Sequence, residues 1–189
     1  MTRLLINFAA FQAGWFSCVL GAAHGQPWIG PVVVLAVVLL HLGLARRPAE
    51  ELRLMALAVF IGLVADSFLV MTGWVSYPAG NWVPGLAPYW ILAMWALFAT
   101  TLNVSMKWMR DRWLVAILMG AAGGPLSYLA GQKLGAMQFN EPLYALAALA
   151  IIWAIAMPML MAISSRFDGV SKGSKPQYVL EDWKASQHV

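Results

Sequence analysis

The feature that most constrains this chain is a succession of long apolar stretches that carry almost no charge. Hydrophobic residues make up 61% of the 189 residues and charged residues only 11%, whereas soluble domains carry about 25% charged residues. A helix needs about 20 consecutive apolar residues to cross the hydrocarbon core of a bilayer. The sequence therefore predicts an all-α polytopic membrane bundle of six transmembrane helices. Their predicted positions are residues 4–23, 27–44, 54–75, 88–106, 113–131 and 142–163.

Lysine and arginine in the connections predict the orientation, because cytoplasmic connections are enriched in these residues. With the N-terminus inside, all of the 12 Lys and Arg residues except Lys133 fall on the cytoplasmic side. Both termini are thus predicted to be cytoplasmic, in the inner membrane of a bacterial cell. The net charge of +4 is interpreted as this topological signal, and nucleic acid is not expected as a partner. Aromatic residues in the other connections are interpreted as interfacial anchors: Trp28, Trp74, Tyr77, Trp82, Tyr89 and Trp90.

The chain is predicted to comprise one transmembrane domain, residues 1–166, and a loosely ordered cytoplasmic polar tail, residues 167–189. The lone Cys18 excludes an internal disulfide. His24, His41 and His188 fall at unlike depths, so neither a metal site nor a haem site is predicted. Because phosphate-binding and nucleophile motifs are also missing from the sequence, we predict no catalytic residue and no cofactor.

Asp66 is the one charged residue that the predicted helices place inside the hydrocarbon region, where a charge is costly. It falls in the outer half of the third helix, directly before Ser67. Two interpretations are open. Asp66 is either a carboxylate that takes up a proton or cation, or an acid held by neighbouring helices through Ser127, Lys133 or a Trp indole. The expected ligand-binding set is Asp66, Ser67, Trp95, Ser127, Tyr128 and Lys133.

The fifth predicted helix is interrupted by Gly120, Gly123, Gly124 and Pro125. A proline inside a helix removes a backbone hydrogen bond, and irregular backbone at membrane depth survives only against protein or a watered cavity. The pattern therefore predicts either a cavity wall at the depth of Asp66 or close helix packing through Gly120 and Gly124.

A second polar layer is predicted near the cytoplasmic ends of the first, second and fourth helices. Asn7, His41 and Asn103 each lie about one turn from that end, so they share a depth and are expected to meet. This layer is either functional or a set of ordinary hydrogen bonds between helices, worth about 0.6 kcal/mol each.

Three short motifs stand out: Asn7, residues 11–16 (FQAGWF), and Gly62 followed by Asp66 and Ser67. Through them, residues 1–166 resemble a family of bacterial inner-membrane proteins known only as a domain of unknown function. The resemblance implies no established activity or catalytic residue. Genes of this family are often neighbours of genes for a cyclopropane-fatty-acid-synthase-like methyltransferase and a flavin-dependent oxidase, which implies membrane lipid modification.

Two functions are favoured on these grounds. The first is a non-catalytic binding or accessory protein in lipid modification, with an apolar ligand between helices three, four and five. Asp66 would then hold the polar end of the ligand, and Trp95 and Tyr128 would form the walls. The second is a small proton-coupled transporter that uses Asp66 and works as a homo-oligomer, because six helices enclose little volume. Membrane lipids are the expected partners, and a lipid enzyme is least favoured because the chain lacks a catalytic cluster.

Overall fold

The computed structural model describes residues 2–171, which form a bundle of six helices. Four helices, the first, third, fifth and sixth, are long and apolar enough to cross a membrane. The predicted all-α membrane bundle is thus confirmed. In chain order the elements are α1 (Thr2–Ala23), α2 (Ile29–Leu44), α3 (Pro48–Met71), β1 (Val75–Ser76), α4 (Tyr89–Leu102), a short 3-10 helix (Lys107–Met109), α5 (Trp113–Lys133), β2 (Gln138–Phe139) and α6 (Pro142–Arg166).

Helices α2 and α4 are shorter than the predicted stretches, with 16 and 14 residues. At a rise of about 1.5 Å per residue, α4 is only about 21 Å long. This helix packs against α1, α2, α3 and α6. Because protein surrounds α4, its length does not have to match the thickness of the lipid.

Helix α3 begins six residues before the predicted stretch, at Pro48. Proline at the first position and the acidic Glu50 and Glu51 in the first turn are typical of a helix N-terminus. Glu51 is 0% exposed. The sequence predicts Glu51 in the connection before the third apolar stretch, so this buried carboxylate in the first turn of α3 was not expected. That Asp66 is the one charged residue in the hydrocarbon region stays a prediction.

The two short strands lie at one end of the bundle, in the α3–α4 and α5–α6 connections. The arginine-rich connections, α2–α3 and α4–α5, lie at the opposite end. Strands β1 and β2 pair antiparallel, with Val75 opposite Phe139 and Ser76 opposite Gln138. The Asn140 side chain donates a hydrogen bond to the carbonyl of Gly73 at 2.8 Å. This pairing ties the α3–α4 connection to the α5–α6 connection and holds the chain that follows β1 over α3.

Close packing of α5 against α6 depends on two glycines. A Cβ atom on Gly120 would lie 2.2 Å from the carbonyl oxygen of Trp153, and one on Gly124 would lie 2.2 Å from Trp153 Cγ. Gly123, by contrast, faces open space. The packing interpretation of Gly120 and Gly124 is thus confirmed, and Gly123 borders the cleft described below.

Candidate functional site

Asp66 lies at the centre of a buried hydrogen-bonded cluster and is 1% exposed. Its carboxylate accepts hydrogen bonds from the Tyr128 hydroxyl at 2.5 Å, the Trp95 indole at 2.7 Å and the Tyr77 hydroxyl at 3.4 Å. These four residues are called the Asp66 cluster. Because the donors come from α5, α4 and the connection after β1, the cluster joins three parts of the bundle to α3.

Gly62 explains why Trp95 reaches the carboxylate. Gly62 is one turn before Asp66 on α3, and a Cβ atom there would lie 2.2 Å from Cγ of Trp95. The missing side chain lets the indole lie flat against α3. The sequence motif of Gly62 followed by Asp66 therefore shapes the seat of one tryptophan.

A cleft of about 360 Å³ opens between α1 and α5. These two helices do not pack along each other, and a hydrogen bond from Trp15 Nε1 to Ser127 Oγ, at 3.1 Å, bridges them. The walls of the cleft are mostly aromatic, methionine and glycine residues. They are Phe11, Gln12, Trp15, Phe98, Met106, Met109, Met119, Gly120, Gly123, Gly124, Ser127, Trp153 and Met157.

The cleft does not coincide with the position that the sequence predicted for a ligand, and that position stays a prediction. The sequence predicted a ligand between helices three, four and five, but the lining residues come from α1, α4, α5, α6 and the α4–α5 connection. Asp66 does not line the cleft. The expectation of a cavity wall on α5 is met at Ser127, and it coexists with the glycine packing because the two use different glycines.

A smaller cavity of about 50 Å³ shares lining residues with both the Asp66 cluster and the cleft. Trp95 and Tyr128 line it together with Ser127 and Trp153, which also line the cleft. The rings of Trp95 and Trp153 stack, with centroids 4.8 Å apart and planes 10° apart. Asp66 therefore holds Trp95 and Tyr128, which line this cavity, in place without lining the cavity itself.

The remaining predicted ligand residues have other partners. Ser67 Oγ accepts a hydrogen bond from the backbone N–H of Ala87 at 3.0 Å, which fixes the chain just before α4. Lys133 is exposed at the end of α5, and neither Lys133 nor Ser127 is among the hydrogen-bond partners of Asp66. Of the three candidate partners, the structure supports the Trp indole.

Sequence reasoning missed Tyr77, Trp153 and Gln12. Tyr77 and Trp90, interpreted as interfacial anchors, are both buried, because the connection that contains Tyr77 folds back over the bundle and packs against Trp90 on α4. No pattern in the sequence indicates that fold-back. Gln12 carried a usable signal, since an amide in the middle of an apolar helix is costly unless it faces protein or a cavity.

A model of a protein family described as a protein of unknown function (DUF2878) matches residues 4–159. The chain belongs to this family. Neither a curated protein nor a solved structure matches the chain. The family match confirms the resemblance expected from residues 11–16 and from Gly62 with Asp66. The whole Asp66 cluster and every residue that lines the cleft fall inside the matched DUF2878 region.

A second polar cluster lies at the arginine-rich end of the DUF2878 bundle and is centred on Glu51. Its carboxylate accepts hydrogen bonds from Asn103 at 2.6 Å and from the backbone N–H of Gly169 at 2.7 Å. The His41 ring nitrogen Nε2 lies 2.7 Å from the other carboxylate oxygen. His41 and Asn103 thus meet, as expected, but through a residue that the sequence analysis did not include.

Asn7, the third member of the predicted layer, bonds elsewhere. Its amide donates to the carbonyl of Thr100 on α4 at 3.0 Å. This contact is an ordinary hydrogen bond between helices. Among residues 2–171, no three His, Cys, Asp or Glu side chains lie close enough together to hold a metal ion.

The chain after α6 docks onto the Glu51 cluster. Asp168 accepts hydrogen bonds from the Arg110 guanidinium at 2.7 Å and from the Ser171 backbone at 2.8 Å. Burial alone would raise the pKa of Asp168, but the bonds from Ser171 and the charge of Arg110 outweigh burial and hold this pKa well below its usual range. The tail expected to be loosely ordered therefore begins with a docked segment, 167–171, while residues 172–189 and His188 lie outside the described residues.

Proposed function

We propose that this DUF2878 protein binds an apolar chain from the surrounding bilayer in the cleft between α1 and α5. The observation that carries the proposal is the cleft itself, about 360 Å³ of space between helices of a membrane bundle. Four methionines line it, and methionine side chains adapt their shape to irregular apolar partners. A gap of this size between helices is costly when empty, because its walls lose their packing contacts.

The depth of the cleft favours a lipid as the occupant. Ser127 is 14 residues from the first residue of α5, Trp113, which corresponds to about 21 Å along the helix axis. The hydrocarbon core of a bilayer is about 30 Å thick, so this part of the cleft lies within it. Molecules that reach the cleft from the side are therefore lipids or other apolar compounds dissolved in the bilayer.

The arrangement around Asp66 supports binding over transport. Asp66 is enclosed by three hydrogen-bond donors, and it lines neither the cleft nor the smaller cavity beside it. A carboxylate that titrates in each cycle of a transporter needs a path for a proton or cation. We assign Asp66 a positioning role, in which it fixes Trp95 and Tyr128.

We further propose that the protein serves membrane lipid modification as an accessory factor in the bacterial inner membrane, with the arginine-rich end in the cytoplasm. The family resemblance supports the lipid role. The distribution of lysine and arginine supports the orientation. In this proposal the protein holds an acyl chain for another enzyme, and the reaction takes place on that enzyme.

Photo-crosslinking tests the binding proposal. A long-chain alkyl diazirine is added to membranes that contain the protein, irradiated, and the labelled peptides are mapped by mass spectrometry. Met157 is 3% exposed and borders the cleft, so a label there requires entry into the cleft, whereas Leu39 on α2 faces lipid directly. We expect labels on Met157 and Trp153 as well as on Leu39. Labels confined to the lipid-facing residues would refute the proposal.

Lipid analysis of a deletion strain tests the accessory role. The strain is complemented with wild type, with Asp66→Asn or with empty vector, and total acyl chains are profiled by mass spectrometry. We expect a changed profile that wild type restores and Asp66→Asn restores in part, because the variant loosens the wall of the cleft. An unchanged profile would exclude the role in lipid modification and leave the binding proposal to the crosslinking result.

A further inference from the structure

Four of the residues that line the otherwise apolar cleft carry a polar side-chain group: Gln12, Trp15, Ser127 and Trp153. The Trp153 indole nitrogen is buried and has no hydrogen-bond partner. The Gln12 amide makes no side-chain hydrogen bond within residues 2–171. Polar groups at membrane depth usually have partners, so their presence here indicates a polar group on the ligand.

Ser127 differs from Ser17, Ser164 and Ser165, whereas Ser67, whose hydroxyl oxygen also accepts a hydrogen bond, does not line the cleft. The hydroxyls of Ser17, Ser164 and Ser165 each donate to a carbonyl of their own helix, at 2.7 to 2.9 Å. Ser127 Oγ instead accepts a hydrogen bond from Trp15, and within residues 2–171 its own O–H has no acceptor. Ser127 therefore offers a donor to the cleft, oriented by Trp15.

The charge of the lining determines what this donor can bind. Among residues 2–171, no Lys, Arg, His, Asp or Glu lines either the cleft or the adjoining cavity. An ionised carboxylate or phosphate in an apolar site without a cation carries a large desolvation cost. A neutral acceptor avoids that cost and satisfies the donor.

We propose that the cleft binds an apolar chain that carries a neutral carbonyl oxygen, and that this oxygen accepts a hydrogen bond from Ser127. The carbonyl of an acyl ester and the ring carbonyl of a prenylated quinone share this chemistry. The inference rests on the proposed function, because it requires that the cleft admits a chain at all. It adds that the ligand is neutral at the depth of Ser127.

A competition experiment tests this inference with the full-length protein in nanodiscs. The alkyl diazirine is crosslinked in the presence of hexadecane, methyl palmitate, palmitate at alkaline pH, or a prenylated quinone. A net hydrogen bond of about 0.5–1.5 kcal/mol predicts that a carbonyl competitor is about two- to tenfold more effective than hexadecane. Whichever of methyl palmitate and the quinone competes more strongly identifies the source of the carbonyl. Palmitate should compete less well than methyl palmitate.

Ser127→Ala should reduce the carbonyl competitors to the level of hexadecane while hexadecane itself is unaffected. Ser17→Ala is the matched control, because Ser17 is a serine of α1 whose hydroxyl is already bonded to Ala13. Equal competition by all four compounds, an advantage of palmitate, or an ester advantage that survives Ser127→Ala would overturn the inference and leave the proposed function standing. If no compound, hexadecane included, competes with the alkyl diazirine, the proposed function itself would be overturned.

Discussion

Replacement of Asp66 by asparagine removes one acceptor from a site that has three donors. In the wild type, one carboxylate oxygen accepts from Tyr128 at 2.5 Å and Tyr77 at 3.4 Å, and the other accepts from Trp95 at 2.7 Å. Asparagine has one oxygen and one amino group in place of the two oxygens. If the oxygen faces Trp95, the Tyr128 hydroxyl proton loses its acceptor; if it faces the tyrosines, two N–H groups point at each other.

The magnitude follows from the loss of one buried acceptor. An unsatisfied buried donor costs about 1–3 kcal/mol, whereas hydrogen bonds inside membrane proteins average about 0.6 and reach about 1.7 kcal/mol. We therefore expect Asp66→Asn to lower the free energy of unfolding by about 1–2 kcal/mol and to leave the bundle folded. Asp66→Ala, which removes both oxygens, should cost more.

A double-mutant cycle measures this effect by reversible unfolding in mixed detergent, followed by circular dichroism. Tyr128→Phe removes the hydroxyl that Asp66→Asn leaves without an acceptor. The double variant should therefore be more stable than the sum of the two single effects predicts, by about 0.5 kcal/mol or more. Additivity within about 0.3 kcal/mol would refute the argument that these two side chains act as one unit.

Further predictions concern the packing of α5 and the Glu51 cluster. Gly124→Ala should destabilise the protein in the same assay, because the new Cβ meets Trp153 at 2.2 Å, whereas Gly123→Ala should stabilise it by up to about 1 kcal/mol through helix propensity. Glu51→Leu should release the segment after α6, seen as faster amide hydrogen exchange there, and Glu51→Gln should keep most of the protection because it retains one acceptor oxygen. Because the pKa of Asp168 is lowered in the folded protein, its carboxylate stabilises the fold at pH values above its unfolded pKa of about 4. This stabilisation is lost as the pH falls further. Protection of the same segment from amide hydrogen exchange should therefore decrease below about pH 4 in wild type and not in Asp168→Asn.

The sequence predicts the helices well because apolar stretches of membrane length have few alternatives to a helix. It predicts Asp66 as a buried polar centre for the same reason. Gly120 and Gly124 predict close packing correctly, because small residues four apart form one face of a helix. Each of these features depends on residues that are near each other in the chain.

The features that the sequence does not predict depend on contacts between distant parts of the chain. Tyr77 joins the Asp66 cluster only because β1 pairs with β2, and Glu51 is buried only because the segment after α6 folds back onto α3. The position of the cleft depends on which helices fail to pack, here α1 and α5, and periodicity in a single helix does not carry that information. A helix that is apolar on all sides gives no signal of which face meets a neighbour.

The most direct test of the binding cleft fills it with a side chain. Gly123 borders the cleft and faces open space, and Gly43 on α2 also faces open space but lies away from the cleft, so Gly123→Leu and Gly43→Leu form a matched pair. Native mass spectrometry of the proteins released from nanodiscs measures the lipids that stay bound. We predict that wild type and Gly43→Leu retain a lipid and that Gly123→Leu loses it. Equal retention by all three proteins would contradict the assignment of the cleft as a lipid site.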